Sequence, residues 1–297
     1  MKKAKCKVFF HTIISFSLMV LYSCHEERNE VKDEKITQEV EEEEKNYMLP
    51  NIDLSNWKVT LPIGNPTEVK PPEILDYAKN EMLKKFMYND STDGSLVFYT
   101  YPEASTRNSS YSRTELREQM IPGRNDRNWT FEEGGLMSGI LSVPEVSIKE
   151  DGKTDRLMVM QIHGRLTNEQ RDQIGEDDNN APPILKVYWA DGKIHVKTKE
   201  LKNPDASGTE ILYTDSWKDG ESHVFEEEVA NEKFSMSITA SAGKIAVALN
   251  EETVVFENGH LEKWGVFENY FKAGNYLMST DEGAFSKVKF YELEVLH

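Results

Sequence analysis

From about residue 95 to its end the chain repeats one pattern, short runs of strand-forming residues separated by turn signals. Such runs occupy 95–101, 111–119, 139–143, 155–163, 184–190 and 193–199. Six more follow, at 223–229, 234–240, 244–250, 253–257, 269–278 and 286–296. Asp191-Gly192 and Ala242-Gly243 supply tight turns between neighbouring runs. So many strands with so few helical stretches predict an all-β fold, a jelly-roll sandwich of antiparallel sheets with a central groove. A further strand-like run begins at Asn56 and is stopped by Pro62 and Gly64. Helical spacing is confined to 71–88, where Ile74, Leu75, Ala78, Leu83 and Phe86 follow Pro72 and predict one or two short helices.

One run does not suit a core. In Tyr111-Ser112-Arg113-Thr114-Glu115-Leu116-Arg117-Glu118, alternation puts Tyr111, Arg113, Glu115 and Arg117 on a single face. Two guanidinium groups beside a carboxylate make either a solvated sheet surface or the floor of an anion-binding groove. Two further runs are similar in kind. Gln161 and His163 point the same way at the end of an apolar strand, with Met158, Met160 and Ile162 on the opposite face. The face of Tyr270, Lys272 and Tyr276 passes over Gly274, which admits a ligand or another backbone at close range.

The N-terminus reads as a targeting segment. Lys2, Lys3, Lys5 and Lys7 precede a mostly apolar run at 8–20, short for a membrane span, that ends in Leu21-Tyr22-Ser23-Cys24. This resembles a bacterial lipoprotein signal over residues 1–23, with Cys24 the lipidated first residue of the mature protein; an ordinary signal peptide cut near Ser23 is the alternative. Residues 24–45 then form an acidic tether, with ten acidic and four basic side chains after Cys24 and too little apolar surface to order itself. The remaining 46–297 is read as one domain. Cys6 and Cys24 are the two cysteines, so this domain has neither disulfides nor a thiol nucleophile. The whole chain carries a formal charge of −17, which argues against a nucleic-acid partner.

Taken together, Arg113-Thr114-Glu115-Leu116-Arg117, Gln161-Ile162-His163 and Tyr270-Phe271-Lys272-Ala273-Gly274-Asn275-Tyr276 resemble the three signature motifs of family 7 polysaccharide lyases, alginate lyases with a β-jelly-roll fold. The opening Leu54-Ser55-Asn56-Trp57-Lys58-Val59-Thr60-Leu61-Pro62 and the closing Val288-Lys289-Phe290-Tyr291 are similar to the family as well. One position departs: Met278 stands where members often carry a glutamine.

This resemblance implies β-elimination on alginate, a 1→4-linked polymer of mannuronate and guluronate. The C5 proton of a uronate is a poor acid, because its loss piles charge onto an adjacent carboxylate. Positioned donors must neutralise that group in the transition state. The resemblance assigns this to Arg113 and Gln161, with His163 as base and Tyr276 as acid; for mannuronate, Tyr276 could serve as both. Arg117, Lys272 and Glu115 are implied as substrate-binding residues, Glu115 by orienting the two arginines. Nearby Arg113, Lys272 and Arg117 are expected to lower the Tyr276 pKa from its ordinary value of about 10. No metal or other cofactor is implied, and a monomer is expected. Endo action is expected, and the Gln-Ile-His form implies a lean to guluronate-containing regions. An acidic stretch so soon after Cys24 resembles surface-export signals of gram-negative lipoproteins, which implies an outer-membrane location.

Several residues stay open at this stage. Arg113, Glu115 and Arg117 could form a structural ion network, and Lys272 could be a solvated strand lysine. Tyr188 and Trp189 suit a core or a sugar platform equally. Arg107, Lys186 and Lys197 are candidates to line the groove, whereas His195 reads as a surface or subsite residue and His223 has no supporting pattern. The loop 164–183, with Glu176-Asp177-Asp178, is expected to border the cleft and has oxygen ligands for calcium. Two competing functions are a non-catalytic carbohydrate-binding lipoprotein and a glycoside hydrolase. The first needs neither acid nor base; the second needs two carboxylates flanking the scissile bond.

Overall fold

A computed structural model describes residues 48–105 and 109–297. The signal segment, Cys24, the acidic tether and Arg107 lie outside the described residues.

The described residues form two stacked sheets, one eight-stranded and one ten-stranded. The first, here the outer sheet, runs in the order Glu252–Glu257, Lys244–Leu249, Phe234–Ser241, Gly135–Val146, Ser286–Leu296, Ser95–Thr100, Met87–Asp90. The second, the cleft sheet, runs Trp217–Asp219, Lys193–Leu201, Asn180–Ala190, Leu157–Arg165, Glu268–Leu277, Arg113–Glu118, Trp57–Leu61, Thr67–Val69. The pairings are antiparallel except where Asn51–Ile52 lies parallel to the C-terminal strand. This is the expected jelly-roll sandwich. The twelve runs from residue 95 all form strands, several longer at their ends than alternation alone indicates.

The expected helices at 71–88 shrink to two single 3-10 turns, Glu73–Asp76 and Leu83–Lys85, and Met87 and Tyr88 join an edge strand instead. Ile74 and Leu83 are fully buried against the sandwich, so tertiary packing rather than a continuous helix satisfies the apolar spacing. Two short α-helices appear where alternation had offered none. Asn168–Ile174 starts at a capping box of Thr167 and Gln170, and Gly259–Trp264 starts at Asn258.

Between the sheets lies a continuous apolar core, with Leu116, Ile162, Phe271 and Ala273 below the cleft sheet and Phe98, Leu141 and Phe290 from the outer sheet. A buried polar seam joins the sheets behind the Arg113–Glu118 strand. The Asn275 amide donates to the carbonyls of Phe98 (3.0 Å) and Ser286 (2.9 Å), Thr114 N–H donates to Thr100 Oγ1 (2.9 Å), and Thr114 Oγ1 donates to the Tyr99 carbonyl (2.6 Å). Each donor is satisfied, so the seam fixes strand register without leaving buried polar groups unpaired. Thr114 and Asn275 pair across the two strands and adjoin Arg113 and Tyr276, so this seam anchors the backbone from which those side chains project.

Candidate active site

Register brings the three motifs into rows on the outer face of the cleft sheet. Along one side of the central strand Glu268–Leu277, Arg113 pairs with Tyr276, Glu115 with Gly274, and Arg117 with Lys272. Along its other side, Lys272 pairs with Gln161 and Tyr270 with His163. Residues more than 150 positions apart in the chain thus share one floor.

Two points on this floor depart from regular strand geometry. Ala273 pairs with Met160 but the next pair is Tyr276 with Met158, and Val187 and Tyr188 make the corresponding step on the other neighbour. The bulge returns Met158 to the cleft face, where it packs against Tyr188 and Tyr276, while Met160 and Ile162 stay in the core. The second point is Gly274, at φ +139°. A Cβ there would lie 2.7 Å from the Thr114 carbonyl oxygen and 2.9 Å from Glu115 Cα. Of the two expected reasons for this glycine, close approach of a backbone is the one observed, and the backbone is that of the Arg113–Glu118 strand.

Glu115 is the electrostatic centre. It is 1% exposed and does not line the cleft, so it is not a substrate contact. Lys272 Nζ lies 2.5 Å from its Oε2, Gln161 Nε2 donates to its Oε1 at 2.5 Å, and Arg113 Nη1 stands 3.8 Å away. Lys272 is therefore a buried ion-pair member rather than a solvated lysine. The expectation that Glu115 orients both arginines holds for Arg113 alone. Arg117 donates instead to the Glu118 carbonyl (2.6 Å), the Asn125 carbonyl (3.1 Å) and Asn128 Oδ1 (2.6 Å), with its guanidinium 4.0 Å above the Tyr270 ring. None of these partners is a carboxylate, so the Arg117 charge remains available to an anion.

Burial sets the protonation states. His163 is pushed down to about 3, first by loss of solvent and then by the positive charges of Lys272, Arg113 and Arg117. Its Nδ1 lies 3.0 Å from the Gly164 carbonyl oxygen, which assigns the proton to Nδ1 and leaves the Nε2 lone pair free. The ring stacks on Tyr270 at 5.1 Å between centroids. Lys272 is pulled down to about 8 by burial, with Glu115 opposing. Tyr276 departs from expectation. Its oxygen accepts from Arg113 Nη2 at 3.1 Å and shares a short hydrogen bond with Ser109 Oγ, and Arg113 lies 4.1 Å over its ring. Burial outweighs both, and the phenol pKa is raised, not lowered. The site thus presents a neutral imidazole and a protonated phenol side by side with buried cations.

The surrounding cleft has a cavity volume of about 1610 Å³ and draws on seven adjacent strands of the sheet. Seven basic side chains line it against five carboxylates, and Glu115, Asp219 and Glu268, outside the lining, pair with lining bases. On the floor itself Arg113, Arg117 and Lys272 stand against the single carboxylate of Glu115, so the positive balance is local to that floor on a domain that is acidic overall. Lys58, Arg165 and Lys199 belong to this lining and had not been singled out from sequence. Lys58 shares a strand face with Thr60, and Arg165 stands two places after His163, so alternation held the signal for both. Each is paired: Lys58 with Glu68 (2.5 Å), Arg165 with Glu268 (2.6 Å), and Lys199, like Lys186, with Asp219 (2.8 and 2.6 Å). Lys186 lines the cleft as anticipated; Lys197 does not. Tyr188 faces the cleft, while Trp189 belongs to the core and donates to the Ala230 carbonyl at 2.9 Å. His195 and His223 are outside the lining, and residues 176–183 border it. Among the described residues, no three or more histidine, cysteine, aspartate or glutamate side chains are gathered as for a metal ion.

Fold and cleft together define a β-sandwich whose cleft holds a neutral imidazole, a protonated phenol and a cationic floor suited to an extended anionic substrate. Residues 52–297 match the model of the alginate lyase family, and the chain belongs to that family, the polysaccharide lyases that act on alginate. Among solved structures it resembles alginate lyase A1-II′, a member of polysaccharide lyase family 7, at 28% identity and TM-score 0.65, covering 83% of this chain and 96% of that one. The family 7 alginate lyase AlgAT5 matches at 26% identity and TM-score 0.59, over 84% and 99% of the two chains. The alginate lyase from Klebsiella pneumoniae, 19% identical with TM-score 0.61 over 83% and 97%, shares the fold. No curated protein matches the chain by sequence.

Proposed function

We propose that this alginate lyase cuts within the polymer, preferentially in guluronate-containing regions, with His163 as base and Tyr276 as acid. The observation that carries the proposal is the pairing of an unprotonated Nε2 with a separate protonated phenol. In guluronate the C5 proton and O4 lie on opposite faces of the ring, so two distinct groups are needed. Arg113, Lys272 and the second amide hydrogen of Gln161 neutralise the uronate carboxylate. His163 Nε2 removes the C5 proton, the freed electron pair forms the C4–C5 double bond, the C4–O bond breaks, and the Tyr276 hydroxyl protonates the departing O4. A bound carboxylate also raises the basicity of His163, because it offsets the cations that depress it. Arg117 holds a neighbouring uronate.

Endo action is supported by the extent of the cleft. The catalytic strands are central among seven lining strands, which span roughly 29 Å at the usual strand spacing. Chain therefore has room on both sides of the scissile bond. Variants of A1-II′ have been solved with product (GGG) and with substrate (GGMG), in keeping with the proposed preference. The test is to incubate the full chain with alginate, polyguluronate and polymannuronate, follow ultraviolet absorbance of the new double bond, and size the products. Faster cleavage of polymannuronate would overturn the preference, and exclusive release of end sugars would overturn endo action. We also propose that Cys24 carries lipid and holds the enzyme at the outer membrane. Cys24→Ala should then move the protein from the membrane fraction to the soluble one.

A further inference from the structure

Besides Arg113, the Tyr276 hydroxyl has a second partner that none of the three motifs includes. Ser109 is half-buried, lines the cleft and shares a short hydrogen bond with the Tyr276 hydroxyl. Ser109 Oγ also accepts from Tyr111 N–H at 3.1 Å, and the phenol oxygen accepts from Arg113 Nη2 at 3.1 Å.

Counting donors and acceptors leaves two arrangements. In one, the phenol donates to Ser109 and the serine hydrogen points elsewhere. In the other, Ser109 donates to the phenol oxygen, and the phenol hydrogen is free to face the substrate. Rotation of two hydroxyls converts one into the other with no heavy atom moving. Once Tyr276 has given up its proton, the phenolate oxygen keeps two donors, Arg113 and Ser109. A guanidinium is not a proton donor in general acid chemistry, but a hydroxyl in contact with solvent can exchange a proton.

We propose that Ser109 is a positioning residue that aims the Tyr276 proton at the leaving oxygen and then returns a proton from water to the phenolate. This rests on the reading of Tyr276 as the acid. The steps balance: Tyr276 loses its proton to O4, Ser109 passes its own hydrogen to the phenolate oxygen, and Ser109 takes a replacement from water. The proton collected by His163 returns to solvent, so nothing is consumed.

The test uses the full chain and the variants Ser109→Ala and Ser109→Thr, each also made with Tyr276→Phe. Ultraviolet difference titration between the members of each pair isolates the tyrosinate of residue 276. Loss of a hydrogen bond to a charged oxygen should raise its midpoint by about one unit in Ser109→Ala. Turnover of saturating alginate should fall about tenfold with KM little changed. Ser109→Thr, which keeps the hydroxyl, should restore both. An unmoved midpoint in Ser109→Ala overturns the proposal whatever the turnover. Should the alanine variant fail to fold, Ser109→Cys, of similar shape but a weak donor, is read by the same midpoint. Full turnover in Tyr276→Phe alone is a separate outcome, which sinks the acid reading and this proposal with it.

Discussion

Two glutamates three places apart on one strand have opposite surroundings. Both Glu115 and Glu118 are buried, at 1% and 4% exposure. Glu115 faces the cleft side and gathers Lys272, Gln161 and Arg113. Glu118 faces the core, where its Oε2 accepts from Trp129 Nε1 (3.1 Å) and the Phe271 N–H (2.8 Å) and its Oε1 meets His297 Nε2 at 2.5 Å. The Glu118 carboxylate sits where the Arg113–Glu118 strand stops pairing with Glu268–Leu277, and it replaces the missing ladder partner of Phe271. One carboxylate therefore holds charges for chemistry, and the other closes a gap in the sheet. Parity on the strand assigned the faces; the partners assigned the tasks.

The comparison can be broken most sharply on the cleft side. Tyr276→Phe and His163→Ala should each lower turnover by at least about 100-fold while the melting temperature changes little, measured by double-bond absorbance and calorimetry. Near-full activity in either would remove that residue from the mechanism. Next comes Glu115→Ala, which leaves Lys272 and Arg113 buried without their counter-charge. It should cost about 3–5 kcal/mol in denaturant unfolding, with activity lost as well. Lys272 predicts a pH limit. Since burial lowers its pKa to about 8, the positive charge disappears as pH rises through that value, and kcat/KM should fall with it. Lys272→Arg, if folded and active, should carry this limb to higher pH; an unchanged limb would assign it to another group.

On the core side, His297→Gln should lower stability by about 1–3 kcal/mol with kcat altered only a few-fold. The sign with pH follows from the raised His297 pKa, for which the Glu118 hydrogen bond and charge outweigh burial. Its contribution is complete below the unfolded value of about 6.5 and is lost as pH rises through the higher folded value. The gap between wild type and variant should therefore narrow on going from acid to alkaline conditions. The smallest effect is expected at Met278, which packs against the cluster of Met158, Tyr188 and Tyr276. Met278→Gln should alter kcat/KM by no more than about threefold, and a larger loss would show that this apolar contact supports the Tyr276 ring.

Much of this was legible in the chain because a strand has a strict period. Alternation put Arg113, Glu115 and Arg117 on one face and kept Gln161 with His163, though it left open whether that face was a groove. It misplaced Met158 because a bulge adds a residue to one strand without marking it in composition. It also left Tyr188 and Trp189 undecided, since two adjacent aromatic residues are equally suited to either face. Ser109 escaped notice because a serine in a turn-rich loop looks the same with or without a tyrosine above it.

By itself, the sequence determined that the domain is an antiparallel sandwich and which residues share a strand face with its charged ones; the roles of base, acid and anion partner came from the resemblance of three motifs to a family. The first two are local properties of residue type and period. Only the tertiary structure decided that Glu115 serves Lys272 and Gln161 rather than Arg117, and that Tyr276 holds its proton more tightly than a free phenol. Both depend on burial and on partners more than 40 residues away in the chain, where desolvation acts against neighbouring charge. No local pattern records which of those two wins.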